Sequence, residues 1–186
     1  MIKKTEKAKQ ENSALLIPIR YIILFCIAFC LYYSFFAYKI LFNLTAYPLN
    51  FILNLFSAST LNGSFLLIGK NTIELIPACI AVSAYVFLLI LNLATPMPAK
   101  IRIKSLIFSL VSLFVINILR LIILSSLFIG SYASFDIVHK FTWYFLSILI
   151  VIALWFSSVK LFKIRNIPVY SDFKALLNST ETKTKK

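Results

Sequence analysis

The sequence predicts an all-α integral membrane protein of about four transmembrane helices. Both termini lie on the cytoplasmic side, and a short interfacial helix and a hairpin-like segment precede the second span. Three observations carry this expectation. First, 61% of the 186 residues are hydrophobic and only 13% are charged, with a mean hydropathy of +0.92; soluble domains are nearer 45–50% apolar and about 25% charged. Second, the apolar residues fall in runs long enough to cross a bilayer. Third, the 19 Lys and Arg are clustered. Five lie at the N-terminal end (Lys3, Lys4, Lys7, Lys9, Arg20), three in one short loop (Lys100, Arg102, Lys104), and seven at the C-terminal end (Lys160, Lys163, Arg165, Lys174, Lys183, Lys185, Lys186). That distribution is the positive-inside pattern of a membrane protein. It is not the basic stripe of a nucleic-acid binder, despite a net charge of +13.

Taken in order, residues 1–14 form a polar, basic cytoplasmic arm. Leu15 to Tyr38 is the first span, too long for a signal-peptide core and without a clear small-residue cleavage site. Cys26 and Cys30 share a face of it and read as packing residues. Pro48 to Phe56 reads as a short interfacial helix with Leu49, Ile52, Leu53 and Phe56 on one side. The alternative is a full span from Ile40 to Phe56, marginal in length and interrupted by a Pro and Asn residues. Two β-prone runs, Ser64 to Ile68 and Thr72 to Ile76, flank Gly69-Lys70-Asn71 and read as a hairpin.

The second span runs from Pro77 to about Leu93 and ends at Thr95-Pro96-Met97-Pro98. The third covers about Ser105 to Leu127. After the Gly130 to Ser134 loop, Asp136 is placed to cap a fourth span from about Ile137 to Val159. Residues 15–165 thus make one membrane domain, and 166–186 a polar cytoplasmic tail.

Three polar residues stand out on this frame. Pro77 suits the first helical position, which puts Cys79 in the first turn. Unpaired N–H groups there favour an anion, and so the nucleophilic thiolate. Arg120 is the one charge well inside a span, about sixteen residues past Lys104 and roughly 24 Å along its helix. An intramembrane arginine is costly and marks a functional site by default. His139, the single histidine, falls in the first turn of the fourth span. Each has a plainer reading alone: a packed cysteine, a snorkelling arginine, an interfacial histidine. As a set at similar depth on one side, they suit acyl transfer. Cys79 would attack a carbonyl, His139 would move protons and Arg120 would donate to the developing oxyanion. Asn117 and Asp136 are possible supports, Asp136 more as a cap than as a partner of the imidazole. Zinc motifs, phosphate loops and Ser-His-Asp patterns are absent from the sequence, and no cofactor or metal is implied.

A Cys at the outer start of a helix, Asn117-Ile-Leu-Arg120 one helix later and a His opening the next resemble the exosortase/archaeosortase family. The resemblance spans roughly residues 40 to 160 and fits a small archaeosortase-type member. It implies a multi-pass membrane cysteine transpeptidase with its active site at the extracytoplasmic face. Its partner would be the C-terminal sorting-signal helix of exported proteins, cut and passed to a lipid or other anchor among the membrane lipids. It also implies Cys79 as nucleophile, Arg120 as transition-state stabiliser and His139 as general base. Where many relatives carry Cys-Thr-Gly or Cys-Ser-Gly, this chain has Cys79-Ile80-Ala81. Two other classes stay open from the residues alone: a small transporter or channel subunit using Arg120, and a non-enzymatic membrane scaffold.

Overall fold

A computed structural model describes residues 19–130 and 135–164. The expected arm 1–14, the tail 166–186 and residues 131–134 of the expected loop lie outside the described residues. The described chain is mostly helical. Helices α1 (Ile19–Tyr33) and α2 (Phe35–Asn54) are followed by strands β1 (Ser59–Asn62), β2 (Phe65–Ile68) and β3 (Asn71–Glu74). Then come α3 (Pro77–Ile80), α4 (Val82–Ala94), α5 (Ala99–Ile129), α6 (Phe135–Phe141), a π-helical segment (Thr142–Leu146) and α7 (Ser147–Leu161). Two helical units among the described residues are long and apolar enough to cross a membrane: α5, and the continuous Phe135–Leu161. The pair α1 and α2 makes a third if its members count as one span.

That pair corrects the expected first span and interfacial helix. The described part of that span is not one straight helix; it bends by 61° between α1 and α2. Ser34 is the cause. Its backbone is extended, and its hydroxyl accepts from the Ala37 N–H at 3.3 Å, capping a new helix. No separate helix starts at Pro48, because α2 runs through that residue. Pro48 withholds one helical N–H, but the turns on either side are fixed by burial of Thr45, Ala46, Leu49 and Leu53.

The hairpin is present and gains a strand. β1, β2 and β3 form an antiparallel meander in that order. Gly63 and Gly69 each open a two-residue turn with φ near +59° and +57°, which a side chain resists and a tight hairpin requires. Asn50 and Asn54 do more than interrupt an apolar run. The Ser59 hydroxyl donates to the Asn50 carbonyl at 3.0 Å, and the Ser59 N–H donates to the Asn54 side chain at 3.1 Å. The end of α2 is thereby tied to the start of β1.

Helix α5 organises the rest. Ser105, Ser109, Leu113, Asn117, Leu121 and Ser125 are buried along one stripe. Ile103, Ile107, Val111, Val115, Leu119 and Ile123 are exposed on the opposite side. Small and polar residues face the other helices and large aliphatic ones face outward, the arrangement a bilayer rewards. At one end, Ile118 and Leu121 pack with Leu49 and Leu53 of α2 and with Leu66 and Ile68 of the sheet. In the middle, Leu113 packs with Tyr85, Leu88, Leu154 and Trp155. At the other end the contact is polar. The Ser105 hydroxyl is 2.6 Å from both the Asn92 side-chain oxygen and the Ser158 hydroxyl, and the Asn92 amide donates to the Leu88 carbonyl at 3.1 Å.

Candidate active site

The expected second span is not one helix. Ile76 is extended, Pro77 takes the first helical position as its lack of an N–H allows, and α3 lasts four residues. Ala81 then adopts left-handed φ 58° and ψ 34°, and α4 begins after it. Cys79 does lie in the first turn, with its N–H donating to the Ile76 carbonyl at 2.9 Å. A single turn, however, has little macrodipole to offer a thiolate.

The break redirects main-chain acceptors. In an unbroken helix, the Ala78 and Cys79 carbonyls would accept from N–H groups four residues on. Here the Ala81 N–H reaches the Ala78 carbonyl at 3.4 Å, and α5 supplies the other donors. The Asn117 amide donates to the Cys79 carbonyl at 3.0 Å. The Arg120 Nη2 donates to the Ala78 carbonyl at 3.1 Å and to the Cys79 carbonyl at 3.2 Å. Asn117 and Arg120 sit three residues apart, hence on one face of α5. The Arg120 Nη1 reaches across to the Ser147 hydroxyl at 3.1 Å, and that hydroxyl donates to the Thr142 carbonyl at 2.8 Å. A guanidinium has five N–H donors. These bonds use three, leaving the second Nη1 hydrogen and a buried Nε–H that has no partner.

His139 is the fifth residue of α6, two residues further in than expected, because the helix is already formed at Phe135. Phe135 packs its ring on Phe128 with centroids 5.2 Å apart, which fixes that earlier turn. Asp136 therefore lies within the helix and not before it; its side chain is exposed and makes no hydrogen bond to His139. The imidazole is half-buried and stacked in a column, 5.5 Å from the Phe135 ring and 6.5 Å from the Trp143 ring. Cys79, Arg120 and His139 line one small cavity of about 40 Å³, together with Ile76, Leu121, Leu124, Thr142 and Trp143. No hydrogen bond joins His139 to Cys79 or to Arg120. Among the described residues, no group of three His, Cys, Asp or Glu side chains is placed to hold a metal ion.

The residue pattern alone does not single out Ser147, Thr142 or Trp143. Thr142 and Ser147 are five residues apart, a spacing that meets only in a π turn and carries no signal in an ordinary helical pattern. Compared with known proteins, the chain matches no family model, no curated protein and no solved structure.

Proposed function

We propose that this chain is a multi-pass membrane cysteine peptidase or transpeptidase of the exosortase/archaeosortase type. It would cut a C-terminal sorting signal of exported proteins at the outer membrane face and pass the new C-terminus to a lipid or other anchor. The observation that carries the reading is that one cavity gathers Cys79, Arg120 and His139 from α3, α5 and α6. An arginine, a histidine and a thiol around one void are an uneconomical way to fill an apolar protein, and a sufficient set for acyl transfer.

The proposed orientation follows from charge. Lys100, Arg102 and Lys104 at the start of α5, and Lys160 and Lys163 at the end of α7, mark the cytoplasmic side. The sheet and the cavity then lie at the outer face. Four crossings with both termini inside use α1 with α2, α3 with α4, α5, and α6 with α7.

In the forward step, the Cys79 sulfur attacks the scissile carbonyl and its proton passes to the His139 imidazole. The carbonyl oxygen gains the negative charge, which the unused Arg120 N–H groups would stabilise. Collapse of the tetrahedral adduct breaks the C–N bond. The leaving amine takes the proton from His139, and a thioester remains on Cys79. A nucleophile on the anchor, or a water, then attacks the thioester with His139 accepting its proton, and the thiol is regenerated. The absence of a His139–Cys79 hydrogen bond in the free protein is compatible with this, since such contacts commonly tighten only with substrate bound.

The test works whichever protein is the substrate. C-terminal peptides of the host's membrane and surface proteins are compared by mass spectrometry between cells carrying the wild type and cells carrying Cys79→Ala at equal expression. The proposal expects one or more proteins to keep a short motif, apolar helix and basic tail only in the variant. Identical C-termini in both strains would reject it.

A further inference from the structure

We infer that Ser147 is a positioning residue: it sets the Arg120 guanidinium so that Nη2 bridges the Ala78 and Cys79 carbonyls and holds the cysteine turn in place. Its importance for catalysis rests on the transpeptidase reading; its effect on the Cys79 turn does not.

Three observations carry it. The first is the π segment. Ser147 follows Thr142–Leu146, and its main-chain N–H donates to the Thr142 carbonyl, five residues back. A π turn inserts one residue into the helical register, and such insertions recur where a side chain must be re-aimed. The second is the polarity of the hydroxyl. The Ser147 Oγ–H donates to that same Thr142 carbonyl at 2.8 Å. Its single proton is thereby used, and only lone pairs remain to face Arg120. The hydroxyl is fixed as an acceptor, and the Nη1 donor meets it at 3.1 Å. The third is the opposite end of the guanidinium. Because the group is planar and rigid, anchoring Nη1 on α7 fixes where Nη2 sits, which is between the two carbonyls released by the Ala81 break. The chain of contacts thus runs from the Thr142 carbonyl through Ser147 and Arg120 to the backbone of Cys79. On its carbonyl side this turn has one main-chain bond, the Ala81 N–H to the Ala78 carbonyl at 3.4 Å, and the Cys79 carbonyl is held by Asn117 and Arg120 of α5.

The experiment reads the Cys79 carbonyl directly. Full-length protein carrying Cys26→Ala and Cys30→Ala is labelled with [1-¹³C]cysteine and ¹⁵N-isoleucine and placed in lipid nanodiscs. Cys79–Ile80 is then the one Cys–Ile peptide, and it gives a single ¹³C–¹⁵N correlated signal. A carbonyl that loses a donor moves upfield in ¹³C shift. S147A and S147V are expected to move the signal upfield, and S147T, which has the shape of S147V but keeps the hydroxyl, to leave it at the wild-type position. N117L, which removes a direct donor, calibrates the size of the shift. A signal at the wild-type position in both S147A and S147V would overturn the inference, as would a shift in S147T equal to that in S147V. In the comparison of C-terminal peptides between strains, S147A and S147V are expected to accumulate uncut sorting signals, with S147T near wild type. Should Cys79→Ala process normally, the transpeptidase reading falls while the carbonyl measurement still decides the role of Ser147.

Discussion

The Asn117 side-chain amide donates a 3.0 Å hydrogen bond to the main-chain carbonyl of Cys79. Asn117 is buried, and the bond satisfies an acceptor that the helix break at Ala81 leaves without its usual partner. The Arg120 Nη2 also donates to that carbonyl at 3.2 Å, so losing the Asn117 bond removes one of two donors, worth about 0.5–1.5 kcal/mol. Asn117→Leu is therefore expected to lower stability by about that amount, measured as thermal unfolding in detergent or nanodiscs. Asn117→Asp should be as damaging, because an ionised carboxylate cannot donate. Unfolding curves of Asn117→Asp that overlay the wild type would show that this bond holds nothing.

Ala81 carries a conformation better suited to glycine. Its φ of 58° and ψ of 34° lie in the left-handed region, where an L-residue pays about 1–2 kcal/mol. Ala81→Gly is expected to stabilise the fold by up to about 1 kcal/mol, and Ala81→Val to destabilise it by more than Ala81→Gly gains. A loss of stability in Ala81→Gly would contradict the assigned break.

The far end of α5 offers a control that leaves the site alone. Asn92, Ser105 and Ser158 are fully buried and join three helices by hydrogen bonds. Interhelical bonds of this kind are worth about 0.6 to 2 kcal/mol in membranes. Ser105→Ala should lower the unfolding temperature while leaving the position of the Cys79 carbonyl signal unchanged. A shift of that signal would mean that the two ends of α5 are coupled more tightly than their separate contacts indicate.

Orientation can be tested with single cysteines in a Cys26→Ala, Cys30→Ala, Cys79→Ala background. A membrane-impermeant thiol reagent is expected to label Lys70→Cys on intact cells, and Lys100→Cys only after permeabilisation. The reverse pattern would put the cavity on the cytoplasmic side and remove its access to exported proteins.

Much of this architecture is legible in the sequence, for identifiable reasons. The long apolar runs from 105 to 127 and from 137 to 159 announce α5 and the Phe135–Leu161 helix, because length and hydropathy suffice there. Gly69-Lys70-Asn71 announces its turn, because φ above zero selects glycine. The bends at Ser34 and Ala81 are not announced. Ser34 caps its helix from inside an apolar run, where hydropathy hides it, and Ala81 is a good helix former, so its left-handed turn leaves no mark in the residue pattern. Cys79, Arg120 and His139, the set picked out in the sequence, line one cavity. The part played by Ser147 is hidden there, because the π register that aims it at Arg120 emerges only in three dimensions.

The central claim is that Cys79 carries an acyl group during turnover. The most direct measurement is intact-protein mass spectrometry of the wild-type chain, quenched and isolated at acidic pH from cells of its host so that the thioester survives. The expected result is a fraction with added mass that localises to the Cys79 peptide, disappears on treatment with neutral hydroxylamine and is missing from Cys79→Ala. An unmodified Cys79 under these conditions, together with unchanged processing by Cys79→Ala, would contradict it.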